Sequence, residues 1–168
     1  MAQSGSLKSR ILLFVISLFG VGVISQKMPG TIGSLAAMLL LLAWPKSSTL
    51  ALICFLMSFS LGWICCSFYI PKYETDKDPS YVVIDEACGI FLSGAIIYYC
   101  GYTTSVDILL SFVLFRLFDI FKPYPIHNIE TWLKMRRSTV SLGIMLDDVI
   151  ASIFASSTQI ILKGLLLA

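Results

Sequence analysis

Charge is scarce in this chain: only 13% of its 168 residues are Asp, Glu, Lys or Arg, whereas soluble domains carry about 25%. The net charge of +2 is small, and no basic stretch is interleaved with aromatic residues, which excludes a nucleic-acid-binding protein. Hydrophobic residues make up 57% of the sequence. In a chain of this length, that composition predicts one integral-membrane domain over residues 1–168.

The residues needed for several common site chemistries are also missing. The single histidine, His127, cannot supply the paired histidines of a phosphohistidine mechanism. No Cys-x5-Arg sequence is present for a cysteine phosphatase, and no GK[ST] ending is present for a Walker A loop. The cysteines are odd in number, lie in apolar runs and lack CxxC spacing. We interpret them as small buried hydrophobes, not as a disulfide framework or a zinc site: Cys54, Cys65, Cys66, Cys88 and Cys100.

What the chain has instead is long apolar segments. Six are recognisable: 11–24, 35–44, 50–70, 87–102, 106–121 and 143–162. The third and sixth have the roughly 20 residues that cross a bilayer comfortably. The first reaches only about 21 Å at 1.5 Å per residue, so we expect an interfacial or re-entrant helix there. The predicted fold is all-α, a multi-pass transmembrane bundle with this short N-terminal helix.

Basic residues predict how such a bundle is oriented. If the first segment does not cross, the connections 25–34, 71–84 and 122–142 lie on one side of the membrane. They carry seven basic residues: Lys27, Lys72, Lys77, Lys122, Lys134, Arg136 and Arg137. The opposite side carries Lys46 and Lys163. This asymmetry predicts that the three connections face the cytoplasm.

Five carboxylates lie inside or at the edge of the apolar segments: Asp85, Glu86, Asp119, Asp147 and Asp148. An acid at the centre of a bilayer helix costs roughly 2.5–3.5 kcal/mol on insertion scales, so acids in such positions usually face a partner, a metal ion or water. Small residues follow Asp85 and Asp148 at helical spacing, which indicates that both acids point into the bundle. We therefore take the five acids as the candidate site.

Few cations are available to balance these acids. Arg116, Asp119 and Lys122 are spaced three apart and share one helical face before Pro123. An internal Arg116–Asp119 ion pair is the simpler interpretation of those two residues alone. Four further acids at the same depth favour a divalent cation, and carboxylates without His or Cys partners favour Mg²⁺ over zinc.

The sequence PGTIGS at 29–34 offers glycines, hydroxyls and backbone N–H groups ahead of a helix. We expect it to be non-helical, and such a helix start favours an anion such as phosphate. Thr31 or Ser34 acting as an ordinary helix cap is the alternative.

Four blocks together resemble one family. PGTIGSLA, DPSYVVIDEACG, FRLFDIFKPYPI and GIMLDDVIAS occur in the order and spacing of phosphatidylglycerophosphatase A. The resemblance runs from about Lys27 to Ser156. It implies a Mg²⁺-dependent phosphatase of the bacterial inner (cytoplasmic) membrane that converts phosphatidylglycerophosphate into phosphatidylglycerol and phosphate.

On this interpretation the five acids form the catalytic and metal-binding cluster, with magnesium activating a water for in-line attack. Thr31, Ser34, Arg116 and Lys122 bind the substrate phosphate. The roles of base and ligand among the acids stay open, as does a covalent aspartyl-phosphate. The alternative function is a cation- or proton-coupled membrane transporter that uses the same acids, although no internal repeat supports it. A purely structural membrane subunit is the third possibility.

Overall fold

The computed structural model describes residues 7–24, 27–74, 76, 78–136 and 139–167. Over these residues the chain is helical without strands, which confirms the all-α prediction. The helices are α1 (Leu7–Ile16), α2 (Val21–Ile24), α3 (Pro29–Ala43), α4 (Ser48–Tyr73), α5 (Ile84–Tyr99), α6 (Ser105–Phe121), α7 (Ile126–Lys134) and α8 (Val140–Leu167).

Two of the described helices, α4 and α8, are long and apolar enough to cross a membrane by length and composition. They correspond to the two segments, 50–70 and 143–162, that the sequence marks as long enough. Many of their large apolar side chains are exposed, among them Leu56, Ile64 and Ile161. Crossing of the membrane by these two helices and by the shorter ones stays a prediction.

Helix α5 forms the centre of the molecule. It packs against α3, α4, α6 and α8, and 12 of its 16 residues are buried. A helix that is apolar and buried on nearly all sides is a core helix. Its side chains enter two hydrophobic clusters, one around Phe91 and Phe115 and the other around Cys88 and Ile144. The first turn of α5 carries Asp85 and Glu86, so the core helix also positions the acids.

A close approach at Gly89 brings α5 against α6 and α8. A Cβ atom at this position would lie 2.4 Å from Cε2 of Phe115 and 3.2 Å from the backbone oxygen of Asp148. Phe115 is fully buried and has no room to move. Below this point Ser93 donates a hydrogen bond to the carbonyl of Ser152 over 3.4 Å. Small residues thus pack α5 onto α8, as the sequence spacing predicts.

The N-terminal segment 11–24 is not one helix. Helix α1 ends at Ile16, and Leu18, Phe19 and Gly20 adopt left-handed backbone conformations with φ of 50°, 57° and 94° before α2 begins. The Val83 N–H group donates to the carbonyl of Ile16 over 3.0 Å. The end of α1 therefore holds the connection that leads into α5.

The expectation that PGTIGS is non-helical is wrong, because α3 begins at Pro29. Proline fits the first helical position since its φ is preset and its missing N–H has no partner there in any case. The Ile32 N–H group already donates to the carbonyl of Met28 over 3.2 Å. A further difference is α7, which lies within the predicted connection 122–142.

A polar cluster joins α6 and α8 at the end of α6 remote from Asp119. Thr104 and Asp107 form a capping box at the start of α6. The Asp107 carboxylate pairs with the Lys163 ammonium at 2.5 Å, and the Gln159 amide donates to the carbonyl of Asp107 over 2.9 Å. These contacts hold the α6–α8 pair at one end, while the acids lie at the other.

Replacing Gly89 by alanine is expected to destabilise the protein by about 1–3 kcal/mol, the usual cost of overpacking a filled core. The measurement is the unfolding free energy or midpoint of the purified protein in detergent. Gly164→Ala is the matched control, because a Cβ there meets nothing within 4 Å. An equal effect of both substitutions would contradict the close approach.

Candidate active site

One cavity of about 440 Å³ lies where the start of α3, the connection before α5, the start of α5, the end of α6 and α8 meet. Most of its charged lining consists of residues that the sequence analysis selects. All five acids line it, as do Thr31, Arg116 and Lys122, together with Met28, Pro29, Gly30, Asp78, Pro79, Ser80, Val82 and Ile120. The fold therefore brings together residues up to about 120 positions apart in sequence.

Three carboxylates form the centre of this cavity. One oxygen each of Asp85, Glu86 and Asp148 lies within 4.8 Å of the others. Asp85 and Asp148 are buried, and one oxygen of Glu86 and one of Asp148 have no hydrogen-bond partner. Unpartnered buried oxygens are costly, and three adjacent carboxylates repel one another. Their oxygens therefore fit a hard divalent cation such as Mg²⁺.

Gly30 makes room for one of these carboxylates. A Cβ atom at residue 30 would lie 2.1 Å from Oε1 of Glu86 and 3.6 Å from Nη1 of Arg116. Glycine in the first turn of α3 therefore lets Glu86 lie directly against the backbone. The helical form of PGTIGS, which the sequence analysis missed, is what produces this contact.

Arg116 links α6 to α3 on one side of the three carboxylates. Its Nη1 atom pairs with Oδ2 of Asp119 at 2.7 Å and donates to Oγ of Ser34 over 3.1 Å. Its Nη2 atom donates to Oγ1 of Thr31 over 3.4 Å. The internal Arg116–Asp119 pair, the simpler alternative of the sequence analysis, is thus present. Arg116 still lines the cavity, and its Nε atom has no hydrogen-bond partner.

Two lysines contact Asp147, the neighbour of Asp148. Lys122 ends α6 in a left-handed conformation with φ of 40°, and its Nζ atom lies 2.7 Å from both Asp147 and Glu130. Lys134 pairs with Glu130 at 2.6 Å, with Asp78 at 2.7 Å and with Asp147 at 3.5 Å. Asp147 is therefore held by lysines, in contrast to its neighbour Asp148, which is one of the three central carboxylates.

These ion pairs shift the pKa values of Lys122, Glu130 and Lys134, which lie outside the helices long enough to cross a membrane. Burial alone would lower the pKa of Lys122 and Lys134, but the adjacent carboxylates outweigh it and raise both values above the ordinary range. Burial would raise the pKa of Glu130, but hydrogen bonds from Lys122 and Lys134 outweigh it and lower the value. All three groups are therefore charged at neutral pH.

All the sequence-selected residues lie at or beside this cavity, although their catalytic and ligand roles stay predictions. Ser34 accepts a hydrogen bond from Arg116 but does not line the cavity itself. Sequence reasoning missed Glu130 and Lys134, because the segment that carries them reads as a charged connection. Their four-residue spacing on a short amphipathic helix is the signal that was available.

An all-helical chain with two helices of membrane-spanning length and a cavity lined by carboxylates, arginine and lysine has the features of a membrane-bound phosphohydrolase. Residues 14–163 match the family model described as Phosphatidylglycerophosphatase A. The chain therefore belongs to the phosphatidylglycerophosphatase A family, whose members are bacterial membrane enzymes, and it is a phosphatase. This membership removes the support for the transporter and for the structural subunit.

Curated relatives agree with the family. The chain is 35% identical to the phosphatidylglycerophosphatase A of Haemophilus influenzae over 161 residues, which cover 92% of this chain and 93% of that protein. It is 30% identical over 148 residues to the protein of the same name from Escherichia coli, covering 82% of this chain and 75% of the relative. A putative phosphatidylinositol-3-phosphatase of Bacteroides thetaiotaomicron is 30% identical over 150 residues, with coverages of 82% and 84%. No solved structure matches the chain.

Replacing Glu130 by glutamine is expected to reduce stability at neutral pH and to matter less in acid. A carboxylate whose pKa is lowered in the folded state stabilises the protein at pH values above 4.5, the ordinary pKa of glutamate. This contribution is lost as the pH falls through the lowered pKa. The measurement is the unfolding midpoint of both proteins between pH 7 and the acid range. Asp76→Asn, in an exposed position, is the control. A difference that is the same at all pH values would contradict the ion pairs.

Proposed function

We propose that this phosphatase hydrolyses phosphatidylglycerophosphate to phosphatidylglycerol and phosphate. The observation that carries the proposal is the group of three carboxylates, Asp85, Glu86 and Asp148, in a cavity that Arg116 and Lys122 also line. The names of the Haemophilus and Escherichia relatives support the substrate. The Bacteroides relative is named for a different phospholipid phosphomonoester, which supports the broader class of lipid phosphates.

The proposed cofactor is Mg²⁺, held by Asp85, Glu86 and Asp148. The unpartnered oxygens of Glu86 and Asp148 support this assignment, because a cation would satisfy both. When bound, magnesium would polarise the phosphate oxygens and lower the pKa of a water molecule. Asp119 and Asp147 complete the acidic cluster, each beside a basic side chain that balances its charge.

The protein's own side chains would bind the phosphate, stabilise its charge and transfer protons. Arg116 and Lys122 attract the phosphate and stabilise the negative charge that develops during the reaction, with Thr31 and Ser34 fixing the guanidinium from α3. A carboxylate of the cluster accepts a proton from the attacking water. The water oxygen bonds to phosphorus as the bond from phosphorus to the glycerol oxygen breaks, and that oxygen takes up a proton.

In the proposed arrangement the chain is a multi-pass protein of the bacterial inner membrane with its cavity at the cytoplasmic surface. The excess of basic residues in the three connections supports this orientation. Two of the seven, Lys77 and Arg137, lie outside the described residues. The diacyl chains of the substrate would remain in the bilayer while its terminal phosphate enters the cavity.

Removal of divalent cations is expected to abolish phosphate release from phosphatidylglycerophosphate by the purified protein. Among the described residues the three central carboxylates form no ion pair, although Arg116 lies close to Glu86, so a bound cation is expected to offset most of their mutual repulsion. Phosphate release is measured before EDTA treatment, after it, and after Mg²⁺ is returned in excess, which is expected to restore the rate. Undiminished activity after complete metal removal would disprove the magnesium assignment and leave the phosphatase assignment in place.

Asparagine in place of Asp85, Asp119 or Asp148 is expected to lower turnover by at least about a hundredfold, the range typical for loss of an acid–base group. Asparagine preserves the shape of the side chain and removes its charge. Asp76→Asn is the matched control, since Asp76 is exposed, does not line the cavity, and as asparagine keeps the side-chain oxygen that accepts the Asp78 N–H group. Near-normal rates in all three folded variants would overturn the site assignment.

A further inference from the structure

Lys134 joins three parts of the chain through one ammonium group. It contacts Glu130 on its own helix, Asp147 on α8 and Asp78 in the connection between α4 and α5. The lysine side chain is only 13% exposed, so its pairs with the shielded Glu130 and Asp147 are screened less than those of a surface lysine. The Asp78 carboxylate is 47% exposed, and its pair with Lys134 is open to solvent on that side. The sequence analysis uses Lys134 only as one of the basic residues that predict orientation and gives it no role at the site.

The segment 78–82 forms one wall of the cavity, to which Asp78, Pro79, Ser80 and Val82 contribute. Its C-terminal end is fixed, because the N–H group of the next residue, Val83, donates to the carbonyl of Ile16. Within the segment, the Val82 N–H group donates to the carbonyl of Pro79 over 3.0 Å and closes a turn.

The N-terminal end of the segment is held differently. The Asp78 N–H group donates to the carboxylate of Asp76 over 3.1 Å, a contact within the same connection that does not reach the helices. The Asp78 side chain reaches α7 through Lys134 at 2.7 Å. This ion pair thus joins the cavity wall to the helix that also holds Lys122 through Glu130.

We propose that Lys134 is a positioning residue that acts through Asp78, holding the N-terminal end of the segment 78–82 against α7 and so shaping the substrate cavity, while Tyr81 binds Glu74 at the end of α4. The effect on catalysis rests on the proposed function, because the cavity is the one that would take the phosphorylated headgroup. The lysine itself does not line the cavity. Its removal is expected to impair substrate binding more than the chemical step.

The first test does not depend on activity. Hydrogen–deuterium exchange of a peptide covering residues 78–83 is compared in the wild type, Lys134→Met, Asp78→Asn and the double variant. We expect faster exchange in both single variants to a similar extent, no further increase in the double variant, and wild-type exchange in Lys134→Arg, which keeps the charge. Lys46→Met, an exposed lysine outside this network, is the control. Unchanged exchange in either single variant would overturn the proposal.

The second test is kinetic. Each single variant is expected to raise KM for phosphatidylglycerophosphate by about tenfold with kcat within about threefold of wild type, and the double variant is expected to be no worse than Lys134→Met. Multiplicative effects, or a normal KM in Asp78→Asn beside a raised one in Lys134→Met, would show that Lys134 does not act through Asp78. If Lys134→Met does not fold, Asp78→Asn and Lys134→Arg decide the question. An inactive wild type would refute the proposed function, whereas the exchange measurement would still test the wall.

Discussion

Burial of negative charge at one end of the helix bundle is the constraint on which the rest of this structure depends. Seven carboxylates gather around one cavity or its edge: Asp78, Asp85, Glu86, Asp119, Glu130, Asp147 and Asp148. Removing an ionised carboxylate from water is unfavourable unless it is paired and hydrogen-bonded. The positions of Arg116, Lys122 and Lys134 follow from this requirement, since each of them contacts at least one of the acids.

The acids fall into two groups with different surroundings. Asp119 and Asp147 each have a basic partner at 2.7 Å, whereas Asp85, Glu86 and Asp148 each place one oxygen within 4.8 Å of the others. The two groups divide residues that are neighbours in sequence. Asp147 and Asp148 are consecutive on α8, but Asp147 contacts the lysines and Asp148 lies beside Asp85 and Glu86. Consecutive residues on a helix face directions about 100° apart, which allows one acid to meet the lysines and the next to meet α5. The proposed cation would therefore be bound by the three acids that form no ion pair among the described residues.

Much of the fold and of the site was accessible from the sequence, for identifiable reasons. Hydropathy identifies α4 and α8 because each contains a long apolar stretch, and the carboxylates stand out because they interrupt apolar runs. Local backbone geometry was less accessible. The glycines of PGTIGS favour a loop on propensity alone, but Pro29 and packing against α5 and α6 make the segment helical. Glu130 and Lys134 were missed because what links them to the cavity is contact with residues distant in sequence, such as those of Lys134 with Asp78 and Asp147.

The left-handed backbone at Lys122 has a consequence for how this protein can change. With φ of 40°, the residue adopts a conformation that glycine or asparagine enters at lower cost than a lysine does. Substitutions that relax the turn would thus remove the ammonium group between Asp147 and Glu130. Backbone conformation and charge balance are opposed at this one position. Glycine would relax the turn, but it would leave Asp147 and Glu130 without the ammonium group, so the strained turn is expected to persist for as long as these acids need the lysine.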